Sequence, residues 1–328
     1  MIPTLIVILR SFSGRRGIRV GNRVKRLLVT GVHGFVGRTL ARMVESDPRL
    51  SGWQLRDAPP TADLRNPDDA AILVGRHPPD AVIHLAAQSW VPDAFRDPAQ
   101  TLATNVLGTL HLLQALQAAS FRGRVVYVGT GDVYGLVAED ALPVSEHFVP
   151  VPRNPYAVSK FAAEALCRQW TITESMDIVL ARPFNHIGPG QSERFVVSDF
   201  ARQVAEIRCR VREPVLHAGD IDVTRDFTDV RDVVHAYFAL LASGATGETY
   251  NVCSGRERSI RAILDRLAEI AGVSITVETD VARLRKAEQR RMRGDAAKIG
   301  AATGWEATTP LDVSLAQMLE HWEHEVRR

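Results

Sequence analysis

A tyrosine and a lysine stand four residues apart in "RNPYAVSK", residues 153–160. Asn154 is a good helix N-cap and Pro155 suits the first helical position, so Tyr156 and Lys160 fall one turn apart on one helical face. Upstream, "GTGDVYG" (129–135) closes an apolar run and puts Thr130 at the carboxyl end of an expected strand. Open α/β sheets bind their ligands there. Together, Thr130, Tyr156 and Lys160 form a set that can move a proton at a carbonyl. Hydride reaching a ketone carbon leaves negative charge on its oxygen, and a nearby hydroxyl must give up a proton. Free tyrosine titrates near ~10, and a lysine cation beside it favours the phenolate and lowers that value. The ring hydroxyl then serves as general acid in reduction and general base in oxidation. Thr130 would hydrogen-bond the substrate oxygen and share its developing charge. Each residue alone also has a plain structural reading: strand-end turn, core tyrosine, exposed lysine.

A hydride needs a carrier, and "GVHGFVG" (31–37) reads as a phosphate cradle. Gly31, Gly34 and Gly37, with Phe35 and Val36 among them, lie between an apolar run and a helical pattern. Glycines let the backbone turn tightly and approach a pyrophosphate, and the following helix offers free N–H groups. The spacing is G-x-x-G-x-x-G and not the usual dinucleotide fingerprint, so a tight turn without a ligand is the competing reading. Asp57, at the end of the next expected strand, could hold an adenosine ribose and favour NAD. Arg38 and Arg56 could instead hold a 2′-phosphate and favour NADP. Asp63, followed by Leu64 in "ADL", is a candidate for the adenine amino group or a turn residue before a helix.

These groups need a scaffold that brings strand ends together. "KRLLVTG" (25–31), "WQLRD" (53–57), "DAVIHLAA" (80–87), "GRVVYVGT" (123–130) and "MDIVLARP" (176–183) read as strands. "NPDDAAILVGR" (66–76), "PAQTLATNVLGTLHLLQALQAA" (98–119) and 154–175 read as helices between them. Alternating strands and helices predict a parallel sheet of βαβ units with both faces covered. Beyond Pro183, "RQVAEIRCR", "RDVVHAYFALLAS" and "IRAILDRLAEIAG" read as helices and "ETYNVCS" as a late strand. A smaller second lobe, interleaved with the end of the first, is expected.

Composition sets bounds. The 328 residues are 45% hydrophobic and 24% charged, ordinary for a folded soluble protein. The net charge of +2 calls for neither nucleic acid nor a membrane surface. Three cysteines, Cys167, Cys209 and Cys253, have no metal-like spacing and fit free thiols in a reducing compartment. The apolar run in "MIPTLIVILR" is too short to span a bilayer, and no basic residue precedes it, the wrong order for a secretory signal. Residues 1–24 read as a basic, loosely ordered extension or an early translation start, with a targeting peptide as the alternative. A cytoplasmic protein without a transmembrane segment is expected.

Taken in order, "GVHGFVG", "HLAAQSWV", "GTGDVYG", "NPYAVSK" and "RPFNHIGPGQ" resemble the extended short-chain dehydrogenase/reductase family over roughly residues 25–325. The resemblance implies a Rossmann domain (25–187 and 226–255) holding NAD(H) or NADP(H), and no metal. It implies a nucleotide-sugar domain from 188–225 and 256–328. Through "FNHIGPGQ", "GDIDVTRDF" and "RLRKAEQRR" the chain is similar to the branch that reduces the C4 ketone of GDP-4-dehydro-6-deoxy-D-mannose, and to its dehydratase relatives. By that resemblance, Leu85, Ala86 and Ala87 pass the cofactor phosphates and His186 lies near the nicotinamide. Tyr156 and Lys160 also touch the cofactor. Gln88, Ser89, Gly131, Asp132 and Asn185 line the sugar side. Arg202 and Arg225 meet the substrate, Arg225 at its pyrophosphate, and Arg285 with Glu288 holds the guanosine end. In "RLRKAEQRR" a solvated basic helix face is the competing reading.

A 4,6-dehydratase in this family needs a further carboxylate, a glutamate two positions after the threonine. Here Gly131 and Asp132 follow, and aspartate is one methylene shorter, which favours a reductase. A dehydratase, an epimerase on another nucleotide sugar, or a non-catalytic cofactor-binding scaffold are the alternatives; such scaffolds usually lose the Tyr-x-x-x-Lys pair. The helices at 98–119 and 154–175 could form a homodimer interface, as in relatives.

Overall fold

The structure, a computed structural model, describes residues 24–56, 62–281 and 289–328. Its main layer is a six-stranded parallel sheet. The strands are β1 (Lys25–Thr30), β2 (Trp53–Leu55), β3 (Ala81–His84), β4 (Arg124–Val128), β5 (Asp177–Pro183) and β9 (Thr249–Val252), in the order β2-β1-β3-β4-β5-β9. The strand order reverses between β1 and β3, and in such sheets the crevice at that switch point takes the ligand.

The apolar runs are nearly continuous because both faces are covered. Leu27, Val29, Ile83 and Val126 point into one core, which includes Leu40 and Met43 of α1 (Phe35–Ser46) and Val233 and Tyr237 of α8 (Val230–Ser243). Leu28, Val82, Val125 and Ile178 point into the other. That core is closed by α2 (Pro67–Val74), α5 (Gly108–Ala118) and α6 (Pro155–Thr173). The two Asn-Pro starts form as expected: Asn66 Oδ1 accepts from Asp68 N–H at 3.0 Å, and Asn154 Oδ1 from Ala157 N–H at 2.8 Å.

The expected helix over 98–119 is not regular. After α3 (Val91–Arg96) it begins as α4 (Pro98–Leu102), passes through a π-helical turn at Ala103–Leu107, and continues as α5. Such turns are frequent at functional sites. Residues beyond Pro183 contribute β6 (Asn185–Ile187), α7 (Val196–Arg208), β7 (Val215–Ala218), β8 (Thr224–Asp229), β10 (Glu257–Ser259), α9 (Ile260–Ala271) and β11 (Thr276–Thr279). Two C-terminal helices follow, α10 (Ala297–Thr303) and α11 (Leu311–Val326). Here β10-β8-β6 and β11-β7 form two small sheets, and α7, α9 and α11 share a separate apolar core around Phe200, Leu264 and Leu315. Among the described residues, no helix is long and apolar enough to cross a membrane.

Candidate active site

The reacting set converges where β4 ends and α6 begins. Thr130 caps a short 3₁₀ turn, Gly131–Tyr134, its Oγ1 accepting from Asp132 N–H at 3.2 Å. The Thr130 hydroxyl lies close enough to the Tyr156 phenol to favour its ionised form. Lys160 is buried, its Nζ 4.8 Å from the Tyr127 ring centroid, and the Tyr127 hydroxyl donates to the Lys160 carbonyl at 3.0 Å. Gly131 is tight: a Cβ there would meet the Phe184 ring at 3.1 Å.

The electrostatics correct one expectation. The phenol of Tyr156 titrates well above the ordinary range, because burial disfavours the phenolate and the Asp132 carboxylate opposes it; only the Thr130 hydrogen bond pulls downward. Burial sets the direction for both groups: the lysine's own ammonium is drawn down to about 8. At neutral pH the phenol therefore carries its proton, as a donor must.

Below this set lies a buried ion pair. Arg182 Nε and Nη2 donate to Glu164 at 2.9 and 2.6 Å. The Arg182 guanidinium lies 4.9 Å from the Tyr134 ring centroid, and the Tyr134 hydroxyl donates to Asn251 Oδ1 at 2.6 Å.

The glycine loop fits an anionic group. Gly31 has φ +71°, and a Cβ there would lie 2.8 Å from Ala86 N, so the loop after β1 meets Leu85 and Ala86 closely. A Cβ on Gly37 would lie 2.4 Å from the Gly31 carbonyl. The N-cap of α1 is Gly34, with no side-chain cap and no acid in the first turn, which leaves the helix N–H groups to a ligand. Phe35 stacks on His186, centroids 6.0 Å apart and planes within 2°, so His186 joins the roof of this loop; Val36 packs against the adjoining core. Burial and a bond to the Phe184 carbonyl act oppositely on His186, and burial prevails, lowering its pKa.

Both arginines weighed for a 2′-phosphate contact backbone carbonyls. Arg38 donates to the His33 and Gly190 carbonyls. Arg56 reaches the His77 carbonyl at 2.8 Å, toward the amino edge of the sheet. Asp63 is gripped by Arg65, Nε to Oδ2 2.9 Å, and Leu64 is buried with its carbonyl bonded to His111. Asp57 lies outside the described residues.

Of the residues expected to line the sugar, Gln88 is half-buried, and Ser89, Asp132 and Asn185 are exposed. Arg202 is not a waiting cation: it donates to Asp199 at 2.8 Å and to Glu206, both on its own helix. Arg225 Nη1 donates to the Thr224 carbonyl at 2.7 Å. Arg285 and Glu288 lie outside the described residues, but the segment after them is held on both sides. Gln289 exchanges two hydrogen bonds with the Val137 backbone, at 3.0 and 2.7 Å. Arg291 pairs with Glu257 and Glu139.

Three residues at or next to the site were not singled out from the sequence. Asn105, in the π turn, holds both backbone groups of Gln88 and bonds Ser159 Oγ at 2.8 Å. Ser159 in turn donates to the Tyr156 carbonyl at 2.7 Å. Gln289 is the third. The available signals were an asparagine within an apolar helical stretch and a serine between Tyr156 and Lys160. Among the described residues no cluster could hold a metal.

A family model described as GDP-mannose 4,6 dehydratase matches residues 59–318. The chain belongs to this family. Within the GDP-mannose 4,6 dehydratase family and its relatives, the chain is 51% identical to the GDP-6-deoxy-D-mannose reductase of Pseudomonas aeruginosa, over 92% of this chain and 99% of that one. It is 27% identical to the GDP-6-deoxy-D-talose 4-dehydrogenase of Aggregatibacter actinomycetemcomitans, over 84% and 90%. The structure of RMD from Pseudomonas aeruginosa complexed with NADPH superposes with a TM-score of 0.87 at 50% identity, covering 92% of this chain and 99% of that one. The Rossmann-type sheet and the extended short-chain dehydrogenase/reductase resemblance stand.

Proposed function

We propose that this chain is an NADPH-dependent reductase that converts the C4 ketone of GDP-4-dehydro-6-deoxy-D-mannose to the alcohol of GDP-D-rhamnose, with Tyr156 as the proton donor. The observation that carries both the direction of the reaction and the sugar is the 51% identity to a GDP-6-deoxy-D-mannose reductase. A protonated phenol at Tyr156, close to Thr130, is what the donor role needs. A bound dihydronicotinamide supplies the hydride. The Gly31–Gly37 loop and the open start of α1 would hold its pyrophosphate, with Ala86 alongside. Thr130 orients the ketone oxygen, Tyr156 releases its proton to it, and Lys160 keeps a positive charge beneath as negative charge develops.

The ammonium sets a pH limit. Below the Lys160 pKa of about 8 the charge is present, and above it the charge is lost. The turnover rate is expected to fall as pH rises through that value, and a pH profile of kcat checks it. A rate flat well above that value would remove Lys160 from the mechanism.

The dehydratase reading rests on Asp132, two residues after Thr130. Supplying GDP-mannose alone with catalytic NADP separates the two: a 4-keto-6-deoxy product counts against the reductase. Purified keto sugar with NADPH tests the proposal directly, and NMR of the product distinguishes D-rhamnose from 6-deoxy-D-talose at C4. We place the sugar between the 25–187/226–255 and 188–225/256–328 portions, in a cytoplasmic homodimer. Exposed apolar side chains on α4–α6, Leu102, Leu107 and Val158, support that contact.

A further inference from the structure

His84, the last residue of β3, has no part in the chemistry above, yet it is the centre of a buried polar chain. Thr30, His84, Thr109, Asn105 and Ser159 are each at most 3% exposed. The ends of this chain fix where every proton lies. The Ala86 amide can only donate, and it donates to Thr30 Oγ1 at 3.1 Å. The Thr30 hydroxyl still needs an acceptor for its own proton, and His84 Nδ1, 2.6 Å away, provides it. At the other end the Asn105 carbonyl can only accept, and it takes the Thr109 proton at 2.7 Å. Thr109 Oγ1 is thus left to accept from His84 Nε2, 3.0 Å away. One arrangement satisfies all of these groups: a neutral ring carrying its proton on Nε2.

A second proton on the ring would leave the Thr30 hydroxyl without an acceptor. Burial first, and the Lys160 ammonium second, also resist it, drawing the imidazole down to about 3. Lys160 is the charged group that acts on this ring.

From Asn105 the chain forks. Its amide group fixes the Gln88 backbone, and through Ser159 it reaches the Tyr156 carbonyl. We propose that His84 is a positioning residue for the carbonyl reduction: as a fixed Nε2–H tautomer it seats the Asn105 turn, which sets the pocket floor at Gln88 and the helical turn carrying Tyr156. This inference rests on the reductase reading and assigns His84 no contact with substrate or cofactor.

Two measurements test it. In uniformly ¹⁵N-histidine-labelled protein without ligands, His84 should show one neutral Nε2–H signature from about pH 5 to about pH 9. A Nδ1–H tautomer, or titration within that range, overturns the proposal. In steady-state kinetics, His84→Leu should lower kcat about 30-fold, since a small displacement of the donor is enough, with both KM values within about twofold. His84→Gln keeps one donor and one acceptor and should return kcat to within about fivefold of the wild type. A Leu variant within about twofold of the wild-type kcat overturns the proposal, as do equal losses in both variants. If the Leu variant does not fold, the Gln variant and the tautomer spectrum decide. A wild-type protein inactive on the GDP-keto sugar would sink the reductase reading instead, and the spectrum, recorded without substrate, would still judge His84.

Discussion

Replacing Tyr156 with phenylalanine is expected to lower kcat for ketone reduction about a thousandfold, the size of a lost general acid, with KM for the sugar changed only a few-fold. The ring would keep its packing at the start of α6, where the Asn154 cap and the Ser159 bond to the residue 156 carbonyl do not depend on the hydroxyl. What disappears is the one proton held beside Thr130. Thr130 could still hydrogen-bond the ketone oxygen, which leaves part of the charge stabilisation in place. NADPH oxidation followed by absorbance, with GDP-keto sugar varied, measures both constants. A variant with full turnover would remove Tyr156 as the donor and with it the stated mechanism.

The largest effect on stability is expected at Arg182. Its partner Glu164 is 1% exposed, and the side chains meet through two short hydrogen bonds. Arg182→Met would leave that carboxylate with Arg168, at 3.2 Å and from a half-exposed side chain, and with the longer-range pull of Lys160. A buried charge stripped of its partner costs about 3–5 kcal/mol, and the stacking on Tyr134 is lost as well. Urea denaturation of the two proteins should show that difference. Replacing both partners with leucine should be milder than replacing Arg182 alone, because the buried carboxylate goes with its partner. If the single and double variants are equally stable, the pair does not act as described.

The catalytic helix and the phosphate loop were legible because their signals are local. Asn154-Pro155 marks a start within four residues, and three glycines between a strand and a helix carry their own geometry. The irregular turn at Asn105 was not legible. The apolar spacing of "TLATNVLGTLHLL" runs on through it, and one extra residue in a turn leaves little trace in such a pattern. The upward shift of the Tyr156 phenol was not legible, because the lysine is close in sequence whereas Asp132 and the burial that set the shift exist only in the folded molecule. The pairing of Arg202 is a different case: Asp199 three residues before it and Glu206 four after already lie on its helical face.

The sheet has a consequence for how the protein is made. β5 finds its outer neighbour only in β9, which leaves the ribosome after α7 and α8 have been synthesised. Until then the nascent chain carries an unpaired edge of Ile178–Ala181, residues buried in the finished molecule. Open edges of that kind recruit other chains. Truncation before Thr249 should therefore yield aggregates and no free-standing nucleotide-binding half.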